Sequence, residues 1–124
     1  MAAILHDRVF DNGLTVLDTE ADKLYITSSQ ATTYTEAITT YALGVKNTPT
    51  VSAPADRTGG GREVTVSAIT DGSVTGTGTA GFYALVDSSN SRMLASNALN
   101  TTQSVTSGNT FTLTSFKIGF PDPA

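Results

Sequence analysis

The sequence predicts a mainly β, single-domain β-sandwich, Greek-key or jelly-roll-like in its connections, with one short α-helix near residues 34–43 and an extended N-terminal arm. Three observations carry that expectation. Thr and Ser together make up about a quarter of the chain while charged residues are only 15%, a balance suited to pleated, half-buried strands rather than to a solvated helical bundle. Apolar and polar residues alternate through most of the second half, the period of a strand with one face buried. Clusters of Gly, Pro, Asn, Asp and Ser interrupt those runs at short intervals, the rhythm of a sandwich. A chain of 124 residues can bury one core without metal or disulfide staples, and no repeat of fixed period divides it.

Residues 1–13 read as the arm, closed by a turn at Asp11, Asn12 and Gly13, and residues 14–124 as the sandwich domain. "LTVLD" (14–18) and "KLYITSS" (23–29) read as strands. In "TYTEAITTYALG", Tyr34, Ala37, Ile38, Tyr41 and Ala42 recur at helical spacing; Thr33 and Glu36 form a capping box, and Gly44 stands where a left-handed closing residue belongs. Residues 46–62, with two prolines and three consecutive glycines, are a loop holding a brief edge strand at 50–52. "REVTVSAIT" alternates cleanly, and Asp71–Gly72 reads as a tight turn into residues 73–87. "SSNS" (88–91) turns the chain into "RMLASNAL"; after a break at "TTQ", the "SGN" turn (107–109) and "TFTLTSFKIGF" complete the sheet.

Gly76, Gly78 and Gly81 have the G-x-G-x-x-G spacing of a dinucleotide-phosphate loop. That motif needs a strand before it, a helix opening on the third glycine, and an acidic residue about 20 positions later. Here "FYALV" follows Gly81 and is β-like. Alternation explains the glycines better: Val74, Gly76, Gly78, Ala80, Phe82, Ala84 and Val86 share one strand face, and small residues there let another backbone or a large side chain approach.

No other pattern builds a catalytic site. His6 is the only histidine; its neighbour Asp7 would point away from it on a strand, and no nucleophile elbow supplies a serine. Asp18, Glu20 and Asp22 alternate as calcium ligands do, yet Lys23 and Ser29 stand where a calcium loop wants Gly and Glu, which leaves a solvated acidic turn. Tyr25, Tyr34, Tyr41 and Tyr83 can make a sugar-stacking platform or simply pack. Cysteine is absent and the net charge is −4, so zinc-thiolate chemistry and a basic nucleic-acid stripe are not expected. The expected site list is therefore free of catalytic residues, metal and cofactor. The N-terminal stretch has the pattern of neither a signal peptide nor a membrane span, so synthesis in the cytoplasm without membrane attachment is expected.

The pieces "TTYTEA…YALG", "TDGSVTGTG", "ALVD…SRMLA" and "VTSGNTFTLTSF", spread over the chain from about Lys23 onward, resemble a group of small virion proteins of tailed bacteriophages and related prophages. The resemblance implies a non-enzymatic virion protein. Its role would be capsid decoration, or cement, stabilising the outer surface of the phage head, with the major capsid protein as partner and a homo-oligomer, a trimer, as the assembled form. A tail or head–tail junction component is the alternative within that class; a carbohydrate-binding module touching the host surface is the alternative outside it. The apolar arm fits a clip that adds a strand to a partner's sheet edge, with Ile4, Leu5, Arg8, Val9 and Phe10 as the contact residues.

Overall fold

The computed structural model describes residues 4–5, 13–58 and 60–120. Their elements run β1 (Ile4–Leu5), α1 (Thr15–Glu20), β2 (Lys23–Thr27), a π-helical turn (Glu36–Thr40), β3 (Ala42–Asn47), β4 (Ala55–Asp56), β5 (Arg62–Val66), β6 (Ile69–Val74), β7 (Gly78–Asp87), β8 (Arg92–Val105), β9 (Thr110–Leu113) and β10 (Phe116–Phe120). The protein is mainly β. Seven strands form a curled antiparallel sheet in the order β1-β8-β7-β2-β3-β6-β9, and three form a small sheet in the order β10-β5-β4.

One core lies between the sheets. Leu24 and Ile26 of β2, Leu85 of β7, Leu94 of β8 and Phe111 of β9 meet Val64 and Val66 of β5, while Phe116, Ile118 and Phe120 of β10 lie half-buried against them. A second, smaller cluster covers the opposite face of the large sheet. There Ala84, Val86 and Met93 pack with Ala31 and Ala37 beside the π turn, rimmed by Tyr25, Tyr34, Ile38 and Tyr41. Residues 83–87 of β7 are consequently buried on both faces, although the strand alternates.

Several elements differ from the sequence expectation, each for a local reason. Residues 14–18 open a helix, not a strand. Leu14, Val16 and Leu17 are all buried, a one-sided stripe that strict alternation cannot make, and the Thr19 hydroxyl donates to the Thr15 carbonyl one turn back at 2.9 Å. The expected helix at 34–43 is present over 34–40 but ends early and widens, α-helical at residues 34–35 and π-helical over Glu36–Thr40, closed by the Tyr41 amide donating to the Glu36 carbonyl at 3.0 Å. Its start is capped much as expected: Thr33 Oγ1 accepts from the Glu36 amide at 3.1 Å, and the Glu36 carboxylate accepts from the Thr32 amide at 2.9 Å and hydroxyl at 2.8 Å. Those two Thr32 donors hold the Glu36 carboxyl below its ordinary range.

Ala42 and Gly44 belong to β3 instead. Gly44 pairs with Ile26 on one side and Val74 on the other, and a Cβ there would sit 2.7 Å from the Ser73 carbonyl oxygen. Close strand approach, not a helix cap, is the reason for that glycine. Asp71–Gly72 is likewise no turn; it lies inside β6 at an irregularity of the β6–β9 pairing, with the Phe111 ring seated over Gly72. Residues 50–52 make one bridge, Val51 to Val66. β8 runs through "TTQ" without a break, and "TFTLTSFKIGF" divides between the two sheets as β9 and β10. The turns at 88–91 and 107–109 stand as expected, the second with Gly108 at φ +92°.

Strand phase also departs from expectation. Pairing slips between Ala80 and Phe82, so Ala80, Tyr83 and Leu85 face the main core while Ala84 and Val86 face the smaller cluster. An odd residue at a bulge exchanges the two faces of everything beyond it. Gly81 is that residue.

Candidate functional site

β8 and β9 follow each other through residues 106–109, a turn in which the Asn109 amide donates to the Thr106 carbonyl at 3.1 Å. Such neighbours usually form a hairpin. Here β8 pairs with β7 and β9 pairs with β6, so their facing edges splay apart from the turn. One side chain crosses near the narrow end: Gln103 Nε2 donates to the Thr112 carbonyl at 2.6 Å. Farther out the gap widens into a cleft of about 530 Å³, within the range of small-ligand sites.

The bulge at Gly81 shapes one wall. Ala98 pairs with Phe82 and Gln103 with Ala80, so residues 99–102 stand opposite Gly81 alone and bow away from β7. Asn100, Thr101 and Thr102 are exposed there. The other wall is the crossing from β9 to β10, where Thr114 and Ser115 are also exposed. Tyr83, Leu99, Leu113 and Phe116 supply the apolar floor. The Tyr83 and Phe116 rings lie 4.4 Å apart, tilted by 43°. Burial pushes the Tyr83 phenol up to about 12, so it is neutral at any physiological pH.

The cleft is electrostatically quiet. Lys117 is the one charged side chain among the described residues lining it, and its Nζ is 2.9 Å from Glu63 Oε2. Carboxylate pairs that protonate or attack a glycosidic bond have no counterpart among the described lining residues. The rim offers amides and hydroxyls: Asn97, Asn100, Thr101, Thr114 and Ser115. Asn97 Oδ1 accepts from the Ala98 amide at 2.8 Å, which leaves its amide NH₂ as a donor. This arrangement of amides and hydroxyls can hold an uncharged polar ligand.

The residues singled out from sequence do not gather here, Tyr83 excepted. Of the arm residues, Ile4 and Leu5 form β1 against Ser96 and Ala95 at the outer edge of β8; Arg8, Val9 and Phe10 lie outside the described residues, as do His6 and Asp7. Asp18 and Glu20 sit on α1, not in an acidic turn, and Glu20 faces Arg92 at 3.9 Å. Asp22 is a staple: its carboxylate accepts from the Ser88 amide at 2.9 Å and the Ser88 hydroxyl at 2.5 Å, fastening the start of β2 to the β7–β8 turn. Among the described residues no group of three His, Cys, Asp or Glu side chains converges. Gly76 and Gly78 leave space that the Leu43 side chain approaches, the packing role expected of them. Tyr25, Tyr34 and Tyr41 border the smaller cluster on the far face of the large sheet. The Tyr25 phenol is raised, first by burial and then by the Asp22 charge.

The cleft itself was not read from the sequence. Its one legible sign is the polar run "LNTTQ" (99–103), where alternation fails inside a long strand. No protein-family model, curated protein or solved structure matches this chain.

Proposed function

We propose that this protein is a structural building block of a tailed-phage virion, a capsid decoration protein that binds the major capsid protein on the outer surface of the head and stabilises the shell. The observation that carries this reading is the behaviour of the arm. Ile4–Leu5 of the arm adds to the outer edge of β8 as an antiparallel strand, opposite Ser96 and Ala95. A segment that adopts strand geometry against a sheet edge is suited to adding to a partner's edge in the same way, where backbone hydrogen bonds give affinity and alternate side chains give register.

The body suits the role as well. It is a two-sheet block with a Thr- and Ser-rich exterior. Repeated copies around a symmetry axis, a homotrimer in the simplest arrangement, would gain avidity from clustering. The virion surface is the corresponding location.

Deleting residues 2–12 and sedimenting the variant with capsids tests the arm. The expected outcome is loss of co-sedimentation with an unchanged circular dichroism spectrum; full occupancy by the truncated protein would overturn the assignment. Copy number per particle then separates decoration, with copies spread over the whole head, from a tail or junction component present as a single ring.

A further inference from the structure

We propose that the splayed β8–β9 cleft is a binding site for a neutral saccharide, one or two sugar rings of an uncharged polysaccharide, and that it binds without cleaving. This inference is independent of the decoration reading, since it concerns a different face and a different ligand.

Four features select that ligand class. The size is right: about 530 Å³ accommodates one or two sugar rings within the range of small-ligand clefts. The floor is apolar and aromatic, with Phe116 half-buried beside Tyr83, and a pyranose presents a C–H face that packs on an aromatic ring. The rim is uncharged and unspent. The side chains of Asn100, Thr101, Thr114 and Ser115 make no hydrogen bond to another described residue, and their amide and hydroxyl groups both donate and accept, as sugar hydroxyls require. Finally, the one charged lining residue, Lys117, is already paired with Glu63, so a phosphate or uronate would find no free cation among the described lining residues.

Rival occupants fit less well. A nucleotide needs cations or converging backbone donors for its phosphates, and the one cation among the described lining residues, Lys117, is already paired with Glu63. An added β-strand needs a continuous ladder of edge N–H and C=O groups; the bulge of residues 99–102 interrupts that ladder on β8, and the Gln103 amide already occupies the Thr112 carbonyl on β9. Among the described lining residues there is no carboxylate pair of the kind that cleaves a glycosidic bond, so the site is proposed as one that binds.

The test is a titration of the full-length ¹⁵N-labelled protein with glucose, galactose and N-acetylglucosamine and their β-linked disaccharides, followed by amide chemical shifts. At least one sugar is expected to shift amides of residues 97–103 and 112–117, saturating in the millimolar range. N100A and T101A, both at exposed positions, should each weaken that binding about five- to tenfold, the loss of one hydrogen bond. F116L, which keeps bulk but removes the aromatic face, should weaken it at least as much. Absence of shifts with all six sugars would overturn the proposal. So would shifts centred on Tyr25, Tyr34 and Tyr41, or binding indifferent to both N100A and F116L. Shifts of the same amides with protein concentration alone, and none with sugar, would assign the cleft to a second copy of the chain and equally overturn it.

Discussion

At the scale of single residues, two positions test the packing. Gly72 lies under the Phe111 ring, and a Cβ there would collide with three of that ring's carbons. Because Phe111 is itself buried, the ring has no free direction in which to yield. Gly72→Ala should therefore destabilise the protein by about 1–3 kcal/mol, the usual cost of overpacking, seen as a lower urea midpoint at unchanged m-value. Tyr83 makes the second test through pH. Its folded-state value of about 12 lies above the ordinary tyrosine value near 10, so the folded protein holds this proton more tightly than the unfolded chain. The resulting stability is fully present below about pH 10 and is lost as pH rises through about 12, amounting to about 3 kcal/mol. Urea midpoints measured across that window should fall steeply for the native protein and less steeply for Tyr83→Phe, which has no phenol to ionise.

At the scale of elements, the unusual feature is a pair of consecutive strands that fail to form a hairpin. β7 and β6 each claim one of them, and the Gln103–Thr112 bond is the tie across the gap at its narrow end. Gln103→Ala should cost about 1 kcal/mol, the net value of a partly exposed hydrogen bond. Its more specific sign is local: amide hydrogen exchange along β9, which forms an edge of the large sheet, should accelerate while β2 and β7 stay protected. Equal acceleration in every strand would mean that Gln103 acts on global stability rather than on the seam. The π turn is a second element shaped by its surroundings. Thr33 and Glu36 start a helix, but the chain must reach β3 by Ala42, and a single wide turn covers the smaller cluster before β3 begins.

At the scale of the whole molecule, both sheets share one core, and among the described residues no separate hydrophobic cluster belongs to the small sheet. Truncating a residue of the large sheet should therefore unfold both sheets together. Leu85→Ala, at a fully buried position in the middle of β7, is expected to cost about 2–5 kcal/mol. Far-ultraviolet circular dichroism and tyrosine fluorescence should still report one coincident transition. Two resolved transitions would show that the small sheet has a stability of its own.

Alternation, turn residues and a Thr-rich, weakly charged composition determined on their own that this chain is mainly β and where most of its strands run; β2, β5, most of β7, the first half of β8 and the turns at 88–91 and 107–109 are all legible, because local pattern and the final fold agree there. The helix cap at Thr33 and Glu36 was legible for the same reason. Tertiary structure decided the rest. Leu14, Val16 and Leu17 fit a helix or a strand until something lies beneath them to bury all three. Gly44 and Gly72 look like a cap and a turn until a strand or a ring is seen crossing them. The cleft exists because Gly81 faces four residues of β8 and because β9 pairs with β6, and pairing between distant strands is a contest settled by the whole core, which no local window of sequence contains.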